Sequence, residues 1–341
     1  MQNGDRMFAF WAVLLVASAF AEDQSPVDGE EGRIVEHVDL KSGARWIGKK
    51  STRFSSDYDL SLMLGAMIPS PEVREMYAVH GNNVDDPITT IPETFDARIK
   101  WNNCESTRTI WDQSMCGSCW AVAAASTMSD HYCIQTGRSV VLSETDLLSC
   151  CPECGLGCRG GSLFGPWLYW NQTGIVTGGG QNCTGCLCYP FPRCNHASSN
   201  GSYPKCRGLI FHTPKCTRMC QEIYNETFEQ DKIYGNRGYF VEANQDSIRR
   251  EIMLNGPVES GFRVYEDFGE YASGVYFHSH GRYVGNHAIR ILGWGVEHNT
   301  SYWLIANSWN EEWGEGGTFR MLRGRNECGI EQFVISNSLD Y

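Results

Sequence analysis

Long apolar runs, an excess of basic residues and cysteines near either end are what this 341-residue chain lacks. Apart from Met7–Ala17, no stretch is apolar enough to cross a bilayer, and that one is too short to do so. No membrane span is therefore expected. Lys and Arg number 28 against 40 Asp and Glu, a formal charge of -12, which argues against nucleic acid as a partner. No cysteine precedes Cys104 and none follows Cys328, yet 16 lie between them, a density unsuited to a reducing cytosol. With 42% apolar residues a disordered or fibrous chain is excluded. The length suits two domains or one two-lobed domain.

Arg6 precedes the Met7–Ala17 run, and two small-x-small sites follow it, Ala17-Ser18-Ala19 and Ala19-Phe20-Ala21. This predicts a signal peptide, Met1–Ala21, and a soluble product in the secretory pathway, lysosomal or secreted. Five Asn-x-Ser/Thr sequons fit that route as glycosylation sites: Asn171, Asn182, Asn200, Asn225 and Asn299. Residues 22–90 carry no cysteine, open acidic, and end near Asp85-Asp86-Pro87, a linker pattern. A helix is expected around Ile34–Leu40. A cysteine-free segment ahead of a cysteine-dense one reads as an inhibitory pro-segment, released as acid protonates its carboxylates; an ordinary N-terminal subdomain is the alternative.

Further on, Trp120–Gln135 has a helical, alanine-rich pattern stopped by Gly137, and Ser143 with Asp146 resembles a capping box. Asp246–Leu254 reads as another helix, closed by Gly256-Pro257. Strands then take over at Val258–Val264, Ala288–Trp294, Tyr302–Ala306 and Thr318–Leu322. Helices first and strands later predict an α+β fold of two lobes.

The chemistry starts at Gln113-Ser-Met-Cys-Gly-Ser-Cys119-Trp120. A thiol becomes a strong nucleophile when its pKa falls from about 8.5 to roughly 3.5–7.5, as at a helix N-terminus beside histidine. Cys119 lies just ahead of the predicted helix. The N–H groups there and the Gln113 amide suit a developing oxyanion. A redox role for Cys116-x-x-Cys119 lacks the βαβ pattern it needs. His287 opens one alternating strand and Asn307 ends the next, so the amide oxygen of Asn307 can orient the imidazole toward Cys119.

Cys-Gly-Ser-Cys-Trp at 116–120 is the signature of the papain and cathepsin cysteine proteases. From Ile91-Pro-Glu-Thr-Phe-Asp-Ala-Arg98 onward the chain resembles that family, its cathepsin B branch in particular. The resemblance implies a mature protease at 91–341 with a papain-like two-lobed fold. A helical left lobe and a β-barrel-like right lobe would have the active site in the cleft between them. It implies a cysteine endopeptidase made as a zymogen, needing no cofactor or metal, with Cys119 as nucleophile, His287 as base, Asn307 as its orienter and Gln113 as oxyanion donor. Trp309 would shield the His–Asn pair. Gly160 and Gly161 would offer backbone to an extended substrate. Implied partners are protein and peptide substrates, the protein's own pro-segment and cystatin-type inhibitors.

Carried onto this chain, the family's disulfides are Cys104–Cys133, Cys116–Cys158, Cys150–Cys216, Cys151–Cys154, Cys186–Cys220 and Cys194–Cys206. Cys183 and Cys188 are close enough to pair, with a zinc site from Cys183, Cys186 and Cys188 as the competing reading. His212, His278 and His280 read as surface residues. The insert 183–220 resembles the occluding loop, whose two adjacent histidines hold a substrate's C-terminal carboxylate. Here Asn195-His196-Ala197 keeps one, which counts against dipeptidase activity, and Asp112 is expected to pair with His196 and pin the loop. Ser114-Met115 and Asn286 also depart from the family pattern. Phe333 replaces a glutamate at the floor of the pocket lined by Leu163, Gly261 and Ala288, which predicts apolar substrate side chains over arginine. Tyr302–Glu315 is similar to a motif of blood-feeding worms' enzymes and points to digestion of host or blood proteins, with the gut lumen as a destination. A catalytically inactive binding protein on the same fold is the alternative function.

Overall fold

A computed structural model describes residues 34–49, 54, 56–77, 90–180, 183–194, 202–206 and 209–337. The expected signal peptide, the Asp85-Asp86-Pro87 linker, His196, Asn182 and Asn200 lie outside these residues.

The N-terminal part departs from expectation. Ile34–Val38 is a strand, β1, paired antiparallel with β2 (Arg45–Lys49), where a helix was expected. The spacing of Ile34, Val35 and Val38 also fits a helix, but these side chains are β-branched and favour an extended backbone. Asp39 fixes the turn by accepting from the N–H groups of Lys41 and Ser42, and Gly43 supplies a φ of 73°. Helix α1 (Asp57–Ser61), the short β3 (Ala66–Met67) and α2 (Pro71–Met76) follow.

Next come β4 (Phe95–Asp96), α3 (Ala97–Lys100), α4 (Cys119–Thr136), α5 (Glu144–Cys150), β5 (Gly161–Ser162) and α6 (Gly165–Gln172). Helix α4 is buried on nearly every side, which is why it reads as alanine-rich rather than striped. Gly137 ends it in the left-handed region, its N–H donating to the Cys133 carbonyl at 2.8 Å. The Ser143 hydroxyl caps α5 by accepting from the Asp146 N–H at 3.1 Å. The remaining elements are β6 (Gly238–Phe240), α7 (Gln245–Asn255), β7 (Val258–Tyr265), β8 (Tyr271–Tyr276), β9 (Tyr283–Glu297), β10 (Thr300–Ala306), β11 (Thr318–Leu322) and β12 (Ile335–Asn337).

The larger sheet runs β1-β2-β8-β11-β10-β9-β7-β12-β6, with β4 added on β9. It is open, bounded by β1 and β6, so the expected barrel-like lobe is not a closed barrel among the described residues. Two apolar cores flank the site. One packs Trp46, Phe262, Phe268, Trp303 and Trp309 over the sheet. The other gathers Trp120, Leu163, Phe164 and Trp167 around α4. Strand β9 serves both, since Ile289 and Ile291 join the first core and Ala288 the second.

Seven disulfides close, the six pairs implied by the resemblance and Cys183–Cys188. The zinc reading falls, because Cys183, Cys186 and Cys188 are all spent in disulfides. No helix among the described residues is long and apolar enough to cross a membrane.

Candidate active site

Cys119 is the first residue of α4 and fully buried. Its sulfur accepts from the backbone N–H of Gly65 at 3.3 Å, and the N–H groups of Ala288 and Trp120 also act on it. Burial outweighs these donors and pushes the thiol up to about 11. In the covered form Cys119 is therefore a neutral thiol.

His287, the fifth residue of β9, lies 2.8 Å through Nε2 from Asn307 Oδ1. The same Oδ1 accepts from the Ser308 N–H at 2.7 Å, which fixes it as the acceptor end of the amide. Nε2 therefore carries the proton, leaving Nδ1 as the basic nitrogen. The Trp309 ring, fully buried, lies 5.0 Å from the imidazole between centroids.

Gln113 is buried and held from both sides. Its Oε1 accepts from the Ser308 hydroxyl at 2.6 Å, and its Nε2 donates to the carbonyls of Cys116 at 2.8 Å and Met63 at 2.9 Å. Ser308 was not singled out from sequence, although it sits between two residues that were. A second missed group is Arg290, which donates from β9 to Asp130 of α4 at 2.7 Å and to the carbonyls of Ser106 and Thr109. This buried pair ties the strand of His287 to the helix of Cys119. A lone arginine inside the apolar run Ala288–Trp294 was its signal.

Residues 63–68 lie across the site. Ala66 and Met67 of β3 pair in parallel with Gly161 and Ser162 of β5. The Gly161 N–H donates to Gly65 O at 2.8 Å, and the Leu163 N–H to Met67 O at 3.4 Å. Gly160, at a φ of 109°, backs this approach. Ile68 packs with the core that holds Leu163, Ala288 and the half-buried Phe333, and a Cβ built on Gly261 would lie 3.0 Å from its Cδ1. Of the expected pocket residues, Gly261 and Leu163 thus lie beside this aliphatic side chain.

The insert is fastened at its root. Asp112 accepts from the Cys194 N–H and from Asn310 Nδ2, each at 2.9 Å. The expected partner His196 lies outside the described residues. Arg193 and the Tyr203 hydroxyl both reach Glu311, and Glu312 accepts from the Ser202 N–H at 2.6 Å. His212 is exposed. His278 is half-buried rather than on the surface, stacked 3.7 Å from Tyr265, and His280 stacks on His37. Asn171, Asn225 and Asn299 are exposed.

A family model described as papain family cysteine protease matches residues 91–338. The chain belongs to the papain family of cysteine proteases. It is 50% identical over 310 residues to a cathepsin B-like cysteine proteinase of Schistosoma japonicum, covering 89% of this chain and 88% of that one. It is 41% identical over 320 residues to cathepsin B-like cysteine proteinase 6 of Caenorhabditis elegans, covering 92% and 84%. Among solved structures, procathepsin B S9 from Trypanosoma congolense superposes with a TM-score of 0.72 at 34% identity, over 83% of this chain and 88% of that one. The protein is thus a cathepsin B-like cysteine protease.

Proposed function

We propose that the protease is an endopeptidase made as a latent zymogen, working through Cys119, His287, Asn307 and Gln113 with residues 22–90 as its inhibitor. In the uncovered enzyme the Cys119 thiolate attacks the substrate carbonyl carbon while His287 holds the thiol proton. Gln113 Nε2 and the N–H at the start of α4 stabilise the oxyanion. The C–N bond breaks as His287 protonates the leaving amine, and water activated by His287 then splits the thioester, returning the thiol. Asn307 keeps the imidazole in the useful tautomer throughout.

The observation that carries this reading is what residues 63–67 occupy. They take the Gln113 amide, the Gly161 and Leu163 N–H groups and the sulfur of Cys119, the groups an extended substrate would need. They also escape cutting. The carbonyl on Gln113 belongs to Met63, whereas the sulfur faces the amide nitrogen of Gly65, which is no electrophile.

A signal peptide and glycosylation at the exposed Asn171, Asn225 and Asn299 are consistent with a route to the lysosome or the outside. Loss of the second loop histidine favours endopeptidase over dipeptidase action. Digestion of host or blood proteins rests on Tyr302–Glu315 alone, and that stretch has a structural explanation in Asn307, Trp309 and the anchors Asn310, Glu311 and Glu312. The test is turnover of a protein substrate by trimmed wild-type, Cys119→Ala and His287→Ala forms. Both variants should be inactive while remaining folded, and substantial turnover by Cys119→Ala would sink the assignment.

A further inference from the structure

Where the hairpin β1–β2 meets the rest of the protease, two histidines lie face to face. His37 of β1 stacks on Trp46 of β2, with 3.9 Å between centroids, and on His280 at 5.2 Å with 14° between planes. Nδ1 of His37 and Nδ1 of His280 approach one hydroxyl, Ser279 Oγ, at 3.1 and 2.9 Å. Trp46 is buried against Tyr271 and Tyr276, and its strand pairs with β8. The stack therefore sits where the N-terminal hairpin is fastened.

We propose that His37 and His280 form a proton-operated latch: as neutral rings they hold β1–β2 on β8, and protonation of both drives the hairpin off and begins release of the inhibitory segment. The proposal rests on the pro-segment reading above and names its regulator.

The surrounding charges set the balance. From the turn at 266–270, Asp267 and Glu270 face His37. Asp267 is already engaged, accepting from the Tyr276 and Ser279 hydroxyls and the N–H groups of Ser279 and His280, with His278 Nδ1 at 3.4 Å and His280 Nδ1 at 3.9 Å. It lies within ion-pair reach of His278 and His280 and acts on His37 through space, so a single carboxylate charge is shared among three histidines. Glu266 is paired with Arg282. On the hairpin itself Glu36 is paired with Arg45, and Lys49 adds a positive charge. Acidification accordingly builds positive charge on both faces of the stack.

Burial, then the charge of His280, lowers the pKa of His37 from its ordinary value, against the opposing pull of Asp267 and Glu270. A ring harder to protonate docked than free makes docking strongest at neutral pH. Docking weakens as pH falls below the free-histidine value toward the lowered one. The interface also holds two carboxylates. Asp57 pairs with Arg282 at 3.1 Å and Asp39 with Arg325 at 3.7 Å, and Asp39 is held below the usual carboxylate range by the Ser42 hydroxyl.

The test uses the full-length chain carrying Cys119→Ala, which cannot trim itself. Hydrogen exchange of the 45–49 amides, corrected for intrinsic rate, is followed from about pH 8 to about pH 4. His37→Phe and His280→Phe keep a flat ring but cannot be charged, so each should retain protection to a pH lower by about half a unit or more. The double variant should add little to either single one. Loss of protection at the wild-type pH in both single variants overturns the latch. A separate control isolates the reading beneath it: full-length wild type as active as trimmed enzyme at neutral pH would remove the pro-segment itself. Latent wild type with unshifted variants removes only the latch.

Discussion

Gly65 marks the tightest contact between the covering segment and the site, and replacing it with alanine should unseat that segment. A Cβ there would lie 1.9 Å from the Gly117 carbonyl oxygen, 2.7 Å from its carbon and 3.1 Å from Gly160 Cα. These are backbone atoms on a loop stapled by Cys116–Cys158 and by the Gly117 N–H on Cys158 O at 2.9 Å, so the site cannot yield. The segment must lift instead. Lifting breaks the bonds from Gly161 N–H to Gly65 O, from Gln113 Nε2 to Met63 O and from Gly65 N–H to Cys119 Sγ. At about 1 kcal/mol net each they total about 3 kcal/mol. That is roughly 100-fold in the uncovered fraction. The assay is the rate at which a peptide epoxide alkylates Cys119 in the full-length chain at neutral pH. Gly65→Ala should raise it by about two orders of magnitude. Trimmed enzyme made from the variant has lost residue 65 and should turn over substrate like wild type, which controls for folding. An unchanged labelling rate in the full-length variant would refute the reasoning.

Ser308→Ala frees the Gln113 amide to rotate, so kcat should fall by about tenfold at unchanged KM, and steady-state kinetics on trimmed enzyme showing no loss in kcat would remove Ser308 from the positioning role. Phe333→Glu should turn the expected side-chain pocket toward arginine, raising kcat/KM for an Arg-Arg over a Phe-Arg fluorogenic dipeptide by about tenfold or more. Equal wild-type values for the two dipeptides would show the pocket misread. Asp130→Ala leaves Arg290 buried without its carboxylate and should cost about 3–5 kcal/mol, read as a lower urea midpoint of the full-length chain.

What was legible from sequence follows from how each feature is encoded. Helices α4, α5 and α7 and strands β7, β9, β10 and β11 are written locally, in caps, glycine stops and alternation, and they stand close to where that pattern puts them. Cys119, Gln113, His287 and Asn307 are legible as candidates because each rides on a recognisable short motif. Residues 63–68 carry no comparable signal. Their role depends on contacts such as Met63 O on Gln113, 50 residues away, and on Gly65 being small enough to pass Gly117. Ser308 meets Gln113 across 195 residues and Arg290 meets Asp130 across 160, partnerships no single stretch announces. At Ile34–Val38 the spacing of apolar residues was ambiguous, and strand pairing with β2 decided it. His37 carries no sequence signal for its stack on His280, because that partner lies on the loop after β8.

Two free thiols, Cys119 and Cys328, allow the central claim to be tested in one experiment. Trimmed enzyme is titrated with a peptide epoxide at acidic pH, activity is followed, and the adduct is mapped by mass spectrometry. The account predicts one adduct per molecule, on Cys119, with peptidase activity falling in proportion to labelling, and far slower labelling of latent full-length protein at neutral pH. Label on Cys328 instead, or full turnover by enzyme quantitatively modified at Cys119, would contradict it.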